Sequence, residues 1–278
     1  MRNQYLAQKV NYIKWLDAIG VEYYWSEAKR SVKTKKLTNL VAKVKEDYKT
    51  PPLPETTEDK IILSIESSLK SNVPLISNTI DSSRSLADKA NTLDELKEII
   101  LKFEGCDLKK LATNTVFSDG NPKGPLMFIG EAPGNSEDLA GIPFCGESGK
   151  LLDHMLASIG ISRKDNAYIT NTVFWRPPAN RTPTQEEVDI CRPFVEKHIA
   201  LINPHLIVLV GNVAATSLLG KNAGISKIRQ EYYSYTNRYL TKPIQTTAIF
   251  HPAYLLRQPM QKKTTWYDLL KIQEFVKG

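Results

Sequence analysis

The chain is poor in cysteine, and it has no long apolar run. Three cysteines in 278 residues, an odd number, cannot build a disulfide framework and read as free thiols. The longest unbroken apolar stretch, residues 206–210, is far short of the roughly 20 residues that a membrane span needs. The opening residues, MRNQYLAQKV, contain no apolar core of signal-peptide length. These absences predict a soluble, cytoplasmic protein. What is present is ordinary for a globular chain: 41% hydrophobic and 24% charged residues, which excludes wholesale disorder and fibrous architecture. The length suits one large domain or two small ones. The charge is uneven. Of the net +7, +6 lies in the first 50 residues, which carry 11 Lys/Arg against 5 Asp/Glu. Such a segment is either a solvated lysine-rich helix face or a surface for phosphate backbones or acidic membranes.

The apolar pattern divides the chain. Leu6, Val10, Ile13, Leu16 and Ile19 recur at helical spacing up to Gly20, and residues 37–48 suit a second, basic helix. Pro51, Pro52 and Pro54 follow, and then a stretch rich in Ser, Thr, Asn and Asp to about residue 85, which reads as a linker. The expected division is a basic helical extension with its linker over 1–85 and a main domain over 86–278. Thr92 with Glu95 is a capping-box pattern opening a helix over 92–104. Beyond it, apolar strands at 126–129, 167–173, 206–210 and 246–250 alternate with helical patterns at 147–159, 184–201, 212–219 and 265–276. Thr184 with Glu187 forms another capping box. This order predicts an α/β fold of three layers, α/β/α, around a central, mostly parallel sheet. In such sheets the site lies beyond the carboxyl ends of the strands. That singles out the loops after Ile129, Thr172 and Phe250.

The first loop, Gly130-Glu131-Ala132-Pro133-Gly134, lets backbone N–H groups approach a ligand. It lacks the Lys-Ser/Thr of a P-loop and the spacing of a dinucleotide fingerprint. Its acids, Glu131, Glu137 and Asp138, argue against a phosphate cradle and suit holding a water or a polar ring, or simply a tight turn. Phe144 further on is either a core aromatic or a platform for a flat ring. The second loop begins at Asn171, whose amide can pair with the edge of a base or bond its own turn, and runs on through Arg176, Asn180 and Arg181. The third is His251-Pro252-Ala253-Tyr254-Leu255-Leu256-Arg257. Its Leu-Leu-Arg is either an apolar wedge with a phosphate clamp or the first turn of a buried helix.

Together the runs GEAPG (130–134), GIPFCGESG (141–149), ITN (169–171), RPPANRTP (176–183) and HPAYLLR (251–257) resemble the uracil-DNA glycosylase superfamily, closest to its type 4 branch. The resemblance covers roughly residues 104–278. It implies a monofunctional enzyme of base excision repair that flips uracil out of DNA and hydrolyses its N-glycosidic bond. It implies that Phe144 stacks on the flipped base and Asn171 reads its Watson–Crick edge. His251 would face uracil O2, and Glu131 with the backbone of Gly130 and Ala132 would lie by the attacking water. Glu137 would sit near the base pocket, and Leu255, Leu256 and Arg257 would enter the DNA, with Asn180 and Arg181 as further DNA contacts.

Type 4 members carry a four-iron, four-sulfur cluster on four cysteines. The corresponding positions here are Phe103, Cys106, Trp175 and Cys191. Three cysteines cannot complete such a cluster, so the resemblance is to a relative without it, and no metal or cofactor is expected. The Arg-rich, His-terminated insertion of a related branch is also missing between Arg176 and Thr184. The expected partner is uracil-containing DNA, with no membrane contact, and the expected state is a monomer. The competing expectation is a non-catalytic DNA-binding relative. Retention of Glu131, Phe144, Asn171 and His251 beside the lost ligands favours the enzyme.

Overall fold

The computed structural model of the chain describes residues 76–277, except Asn222. The helices expected at 5–19 and 37–48, and the proline-rich stretch from 50 to 75, lie outside the described residues. The elements are α1 (76–89), α2 (Leu93–Lys102), α3 (Asp107–Leu111), β1 (Asp119–Gly120), β2 (Leu126–Gly130), α4 (Asn135–Ala140) and α5 (Glu147–Ala157). They continue with β3 (Ala167–Asn171), α6 (Gln185–Ile202), β4 (Leu206–Val210), α7 (Asn212–Leu219), α8 (Ile225–Ile228), β5 (Tyr233–Tyr235), β6 (Ile244–Ile249), α9 (Pro252–Arg257) and α10 (Lys262–Lys277).

Six strands form one sheet in the order β1-β3-β2-β4-β6-β5. The four inner strands are parallel, and both edge strands are antiparallel to their neighbours. Parallel strands need covering on both faces, and the sequence supplies this by alternation. Met127, Ile129, Ile207 and Leu209 enter one core with Leu96, Ile100, Phe194 and Leu218 of α2, α6 and α7. Leu126, Phe128, Val208 and Val210 enter the other with Leu152, Met155, Leu255, Trp266 and Leu269 of α5, α9 and α10. The expected three-layer architecture with a mostly parallel sheet is the observed one.

Of the two capping boxes read from the sequence, the one at Thr184 forms in full and the one at Thr92 only in half. Thr184 Oγ1 accepts from the Glu187 amide at 3.2 Å, and the Glu187 carboxylate accepts from the Thr184 amide at 2.8 Å. Thr92 Oγ1 accepts from Glu95 at 3.2 Å, while the Glu95 carboxylate reaches one residue further back, to the Asn91 amide. One boundary needs correcting. The stretch read as linker to residue 85 is helical from residue 76, and Ser83, Ala87 and Ala90 on and just after α1 are fully buried. The domain therefore begins inside the stretch read as linker, because a helix with few apolar side chains can still dock through small ones. The edge strands β1 and β5 and the short helices α3, α4 and α8 escaped the sequence reading; each is too short for a periodic signal.

Candidate active site

The strand order places β2 between β3 and β4, the topological switch at which parallel sheets open a crevice. A cavity of about 480 Å³ occupies it, lined by Glu131, Ala132, Glu137, Phe144, Asn171 and His251 among others. All three loops singled out by the sequence converge there, although they are separated by some 120 residues of chain. Gly130, the last residue of β2, does not line the cavity but underlies it. A Cβ there would lie 2.4 Å from Asn171 Oδ1 and 2.5 Å from the Phe144 ring, so only glycine lets these two side chains close over the strand end.

Asn171 ends β3 and is 1% exposed. Its Oδ1 has no hydrogen-bond partner among the described residues. A buried, unpaired amide oxygen costs about 1–3 kcal/mol. The turn-bonding alternative would have satisfied it. The orphan oxygen is left without a partner on a residue that lines the cavity.

His251 caps the N-terminus of α9. Its Nδ1 accepts from the Ala253 amide at 3.1 Å, so in the neutral ring the proton resides on Nε2. Burial, with the nearby Arg257 charge, lowers its pKa to about 4. At neutral pH the ring is an uncharged donor. Phe144 stands beside it, with ring centroids 5.6 Å apart and planes at 31°. Phe144 has φ 52°, in the left-handed region that a bulky residue enters at a cost of about 1–3 kcal/mol. Glu131 is partly buried, which raises its carboxyl pKa, while a hydrogen bond with Thr182 pulls the other way. The Thr172 hydroxyl and the Val173 amide both donate to the Glu131 carbonyl and hold its loop against the segment after β3.

Glu137 lines the cavity, but its carboxylate is engaged. Oε2 accepts from the Gly134 amide at 3.1 Å and Oε1 from the Gly146 amide at 2.8 Å. It ties the Gly130–Gly134 loop to the turn carrying Phe144. Asn180 and Arg181 sit exposed at the mouth. Asn180 Oδ1 accepts from Arg176 at 2.7 Å, and Arg176 also donates to Asn135 at 2.8 Å, so one guanidinium bridges two of the loops. Arg181 makes a two-pronged ion pair with Glu187 at 2.6 and 2.8 Å. Ser148, Thr182 and Tyr254 also line the cavity and were given no role by the sequence, because polar side chains off the apolar face carry no periodic signal.

The Leu-Leu-Arg run resolves into both of its readings. Leu255 is fully buried in the core under α9, so its expected entry into DNA is corrected: it is the turn of a buried helix. Leu256, 46% exposed, and Arg257 face outward. Adjacent helical residues point about 100° apart, so a two-leucine wedge could not face one way.

The four positions corresponding to cluster ligands do not fit a four-cysteine cluster. Phe103 and Trp175 are buried and stack with centroids 6.4 Å apart, and Phe103 meets Phe194 edge-on at 5.0 Å. Trp175 Nε1 donates to Thr115 Oγ1 at 2.9 Å. Cys106 and Cys191 are buried among these rings in mutual hydrogen-bond contact; that contact and burial raise the Cys191 thiol well above its usual range. Among the described residues no group of three or more His, Cys, Asp or Glu side chains is placed to hold a metal ion, and no helix is long and apolar enough to cross a membrane.

Comparison with known proteins agrees with this geometry. The family model described as the uracil DNA glycosylase superfamily matches residues 117–271. A protein named type-4 uracil-DNA glycosylase from Archaeoglobus fulgidus is 41% identical over 187 residues, covering 66% of this chain and 92% of its own. Proteins of the same name from Sulfurisphaera tokodaii and Thermotoga maritima are 38% and 39% identical, covering 66% and 67% of this chain and 84% and 97% of theirs. The chain belongs to the uracil-DNA glycosylase superfamily.

Proposed function

We propose that the chain is a monofunctional uracil-DNA glycosylase that hydrolyses the N-glycosidic bond of uracil in DNA and works without an iron–sulfur cluster. The observation that carries this reading is the buried, unpaired Oδ1 of Asn171 in a cavity shared with Phe144 and His251. A base in a duplex is out of reach and must first be rotated out, which costs a few kcal/mol. Phe144 provides the face on which it stacks. Asn171 Oδ1 accepts from uracil N3–H, and its amide NH2 donates to O4. Cytosine presents an acceptor at N3 and a donor at C4, so both contacts would be mispaired, a mismatch capable of about 10⁴-fold rejection. Water adds to C1′ of the oxocarbenium-like sugar, and the bonding pair leaves with uracil as its anion. Glu131 holds that water and takes its proton. The His251 Nε2–H donates to uracil O2 as charge develops there, which a preorganised donor makes worth roughly 3–4 kcal/mol.

Oligonucleotides carrying one uracil, single- and double-stranded, test the reading through alkali cleavage at abasic sites. Cleavage at uracil and not at cytosine is expected. Tight DNA binding without abasic sites would instead identify a non-catalytic relative. Iron and sulfide analysis of anaerobically prepared protein tests the cluster-free state; stoichiometric iron would refute it.

A further inference from the structure

Of the cavity-lining residues Phe144 and Asn180 have positive φ, and the bulky aromatic needs a reason to stay there. Arg163, in the turn between α5 and β3, explains it. Its side chain is only 15% exposed and is spread over four acceptors. Nε donates to Asp153 Oδ1 at 2.7 Å and Nη1 to Asp119 Oδ2 at 3.0 Å. The same Nη1 donates to the Pro143 carbonyl at 2.7 Å, and Nη2 donates to the Phe144 carbonyl. Successive carbonyls of an extended chain point to opposite sides, whereas a helical backbone of either hand turns them to one side. One planar guanidinium can therefore grip both carbonyls while the backbone at Phe144 stays helical, and would lose one of them if this segment extended. Helix α5 also closes on the Phe144 carbonyl. A Cβ at Gly149 would lie 1.7 Å from the Phe144 carbonyl oxygen, so the helix backbone itself abuts it. The two aspartates, from α5 and β1, fix the guanidinium in turn.

We propose that Arg163 is a positioning residue that clamps the backbone of Phe144 and so sets the pose of the ring on which the flipped base stacks. A pin between α5 and β1 would need only the two carboxylates; the grip on two successive carbonyls is what points to the ring. The proposal rests on the reading of Phe144 as the base platform.

The test is a double-mutant cycle of Arg163→Lys and Phe144→Ala in the full chain, with free uracil as competitive inhibitor of excision from a single-uracil oligonucleotide. A lysine keeps the charge but cannot fork. Arg163→Lys is expected to raise the uracil inhibition constant about tenfold, within the range of a lost base–aromatic stack. On the Phe144→Ala background it is expected to add less than twofold, because the ring it positions is gone. Additive losses would overturn the proposal, since a general structural role does not depend on the ring. Hydrogen exchange over residues 143–149 is the second readout: it should quicken in Arg163→Lys without a change elsewhere in the sheet, and unchanged exchange would also overturn the clamp. Should Arg163→Lys fail to fold, Asp153→Asn loosens the same guanidinium and should shift both readouts in the same direction by about threefold. If the unaltered chain neither excises uracil nor is inhibited by it, the uracil reading fails, and the exchange measurement still decides whether Arg163 holds this segment.

Discussion

Asn171 and Trp175 stand four residues apart on the same segment, and both are buried, yet they serve opposite ends. At Asn171 the fold leaves space and an unpaired acceptor: a cavity, an orphan Oδ1, and a neutral histidine with its Nε2–H to give. At Trp175 the fold leaves neither. Three rings, Phe103, Trp175 and Phe194, pack together, and the indole N–H is satisfied by Thr115. In the first region burial leaves a polar atom unpaired, which lowers stability; in the second it gives cohesion. The difference teaches how a loop can be packed firmly on one side and leave polar groups open on the other. The two regions share one loop but not their side-chain contacts, so aromatic packing can hold the loop from behind while polar groups in front stay unpaired.

The comparison breaks most visibly where cohesion is removed. Trp175→Ala empties a fully buried site and should cost about 3–5 kcal/mol, lowering Tm on the order of 10 °C by calorimetry. Its residual folded fraction should still choose uracil over cytosine; lost selectivity would mean that the two regions are not separable. On the other side, His251→Ala should lower the single-turnover excision rate by about 10²–10³ with little change in Tm. Asn171→Asp should instead relax base choice, measured on matched uracil and cytosine oligonucleotides. Equal losses of base choice and of rate in both variants would merge the roles that the geometry separates.

A smaller effect concerns pH. His198 lies fully buried, stacked on Phe117 at 4.4 Å, with Nε2 in a 2.8 Å hydrogen bond to Tyr168, and burial lowers its pKa to about 3. A histidine whose folded pKa lies below its unfolded value near 6.5 takes up protons mainly in the unfolded chain. Its contribution is thus fully present above pH 6.5 and is lost as pH falls through 6.5 toward 3. His198→Phe should gain stability relative to the unaltered chain as pH drops from 6.5, measured as the difference in denaturation midpoint at each pH. A difference independent of pH would show that His198 takes up its proton as readily in the fold as in the unfolded chain, so that its burial does not lower its pKa. The smallest effect belongs to the basic N-terminal segment. Removing residues 1–75, which leaves α1 intact, should weaken DNA binding and flatten its salt dependence while hardly changing single-turnover excision at saturating enzyme. An unchanged salt slope would remove this segment from the DNA interface.

Much of the site was legible in the chain because its carriers lie at strand ends. The apolar runs located β2, β3 and β6, and the ends of these strands hold Glu131, Asn171 and His251. The apolar character of Phe103 and Trp175 was legible by residue type alone, and both are packed in the core. Less visible were groups whose role depends on a partner far along the chain. Glu137 looked like a pocket acid and proves to be bonded to the amides of Gly134 and Gly146. Arg163 gave no signal, because an arginine in a polar turn resembles any exposed arginine until the carbonyls of Pro143 and Phe144 are beside it.

The sequence by itself determined the layered α/β order, the alternation that sorts Leu126 and Phe128 from Met127 and Ile129, the capping box at Thr184, and the chemistry available at three loops. These are local properties, set by side-chain periodicity and by hydrogen bonds a few residues apart. The tertiary structure alone decided which of two adjacent leucines is buried, that α1 starts before the expected boundary, that Asn171 keeps an unpaired oxygen, and that Phe144 is held left-handed. Each of these depends on what another element brings within a few ångströms, and a single chain position carries no record of a neighbour a hundred residues away.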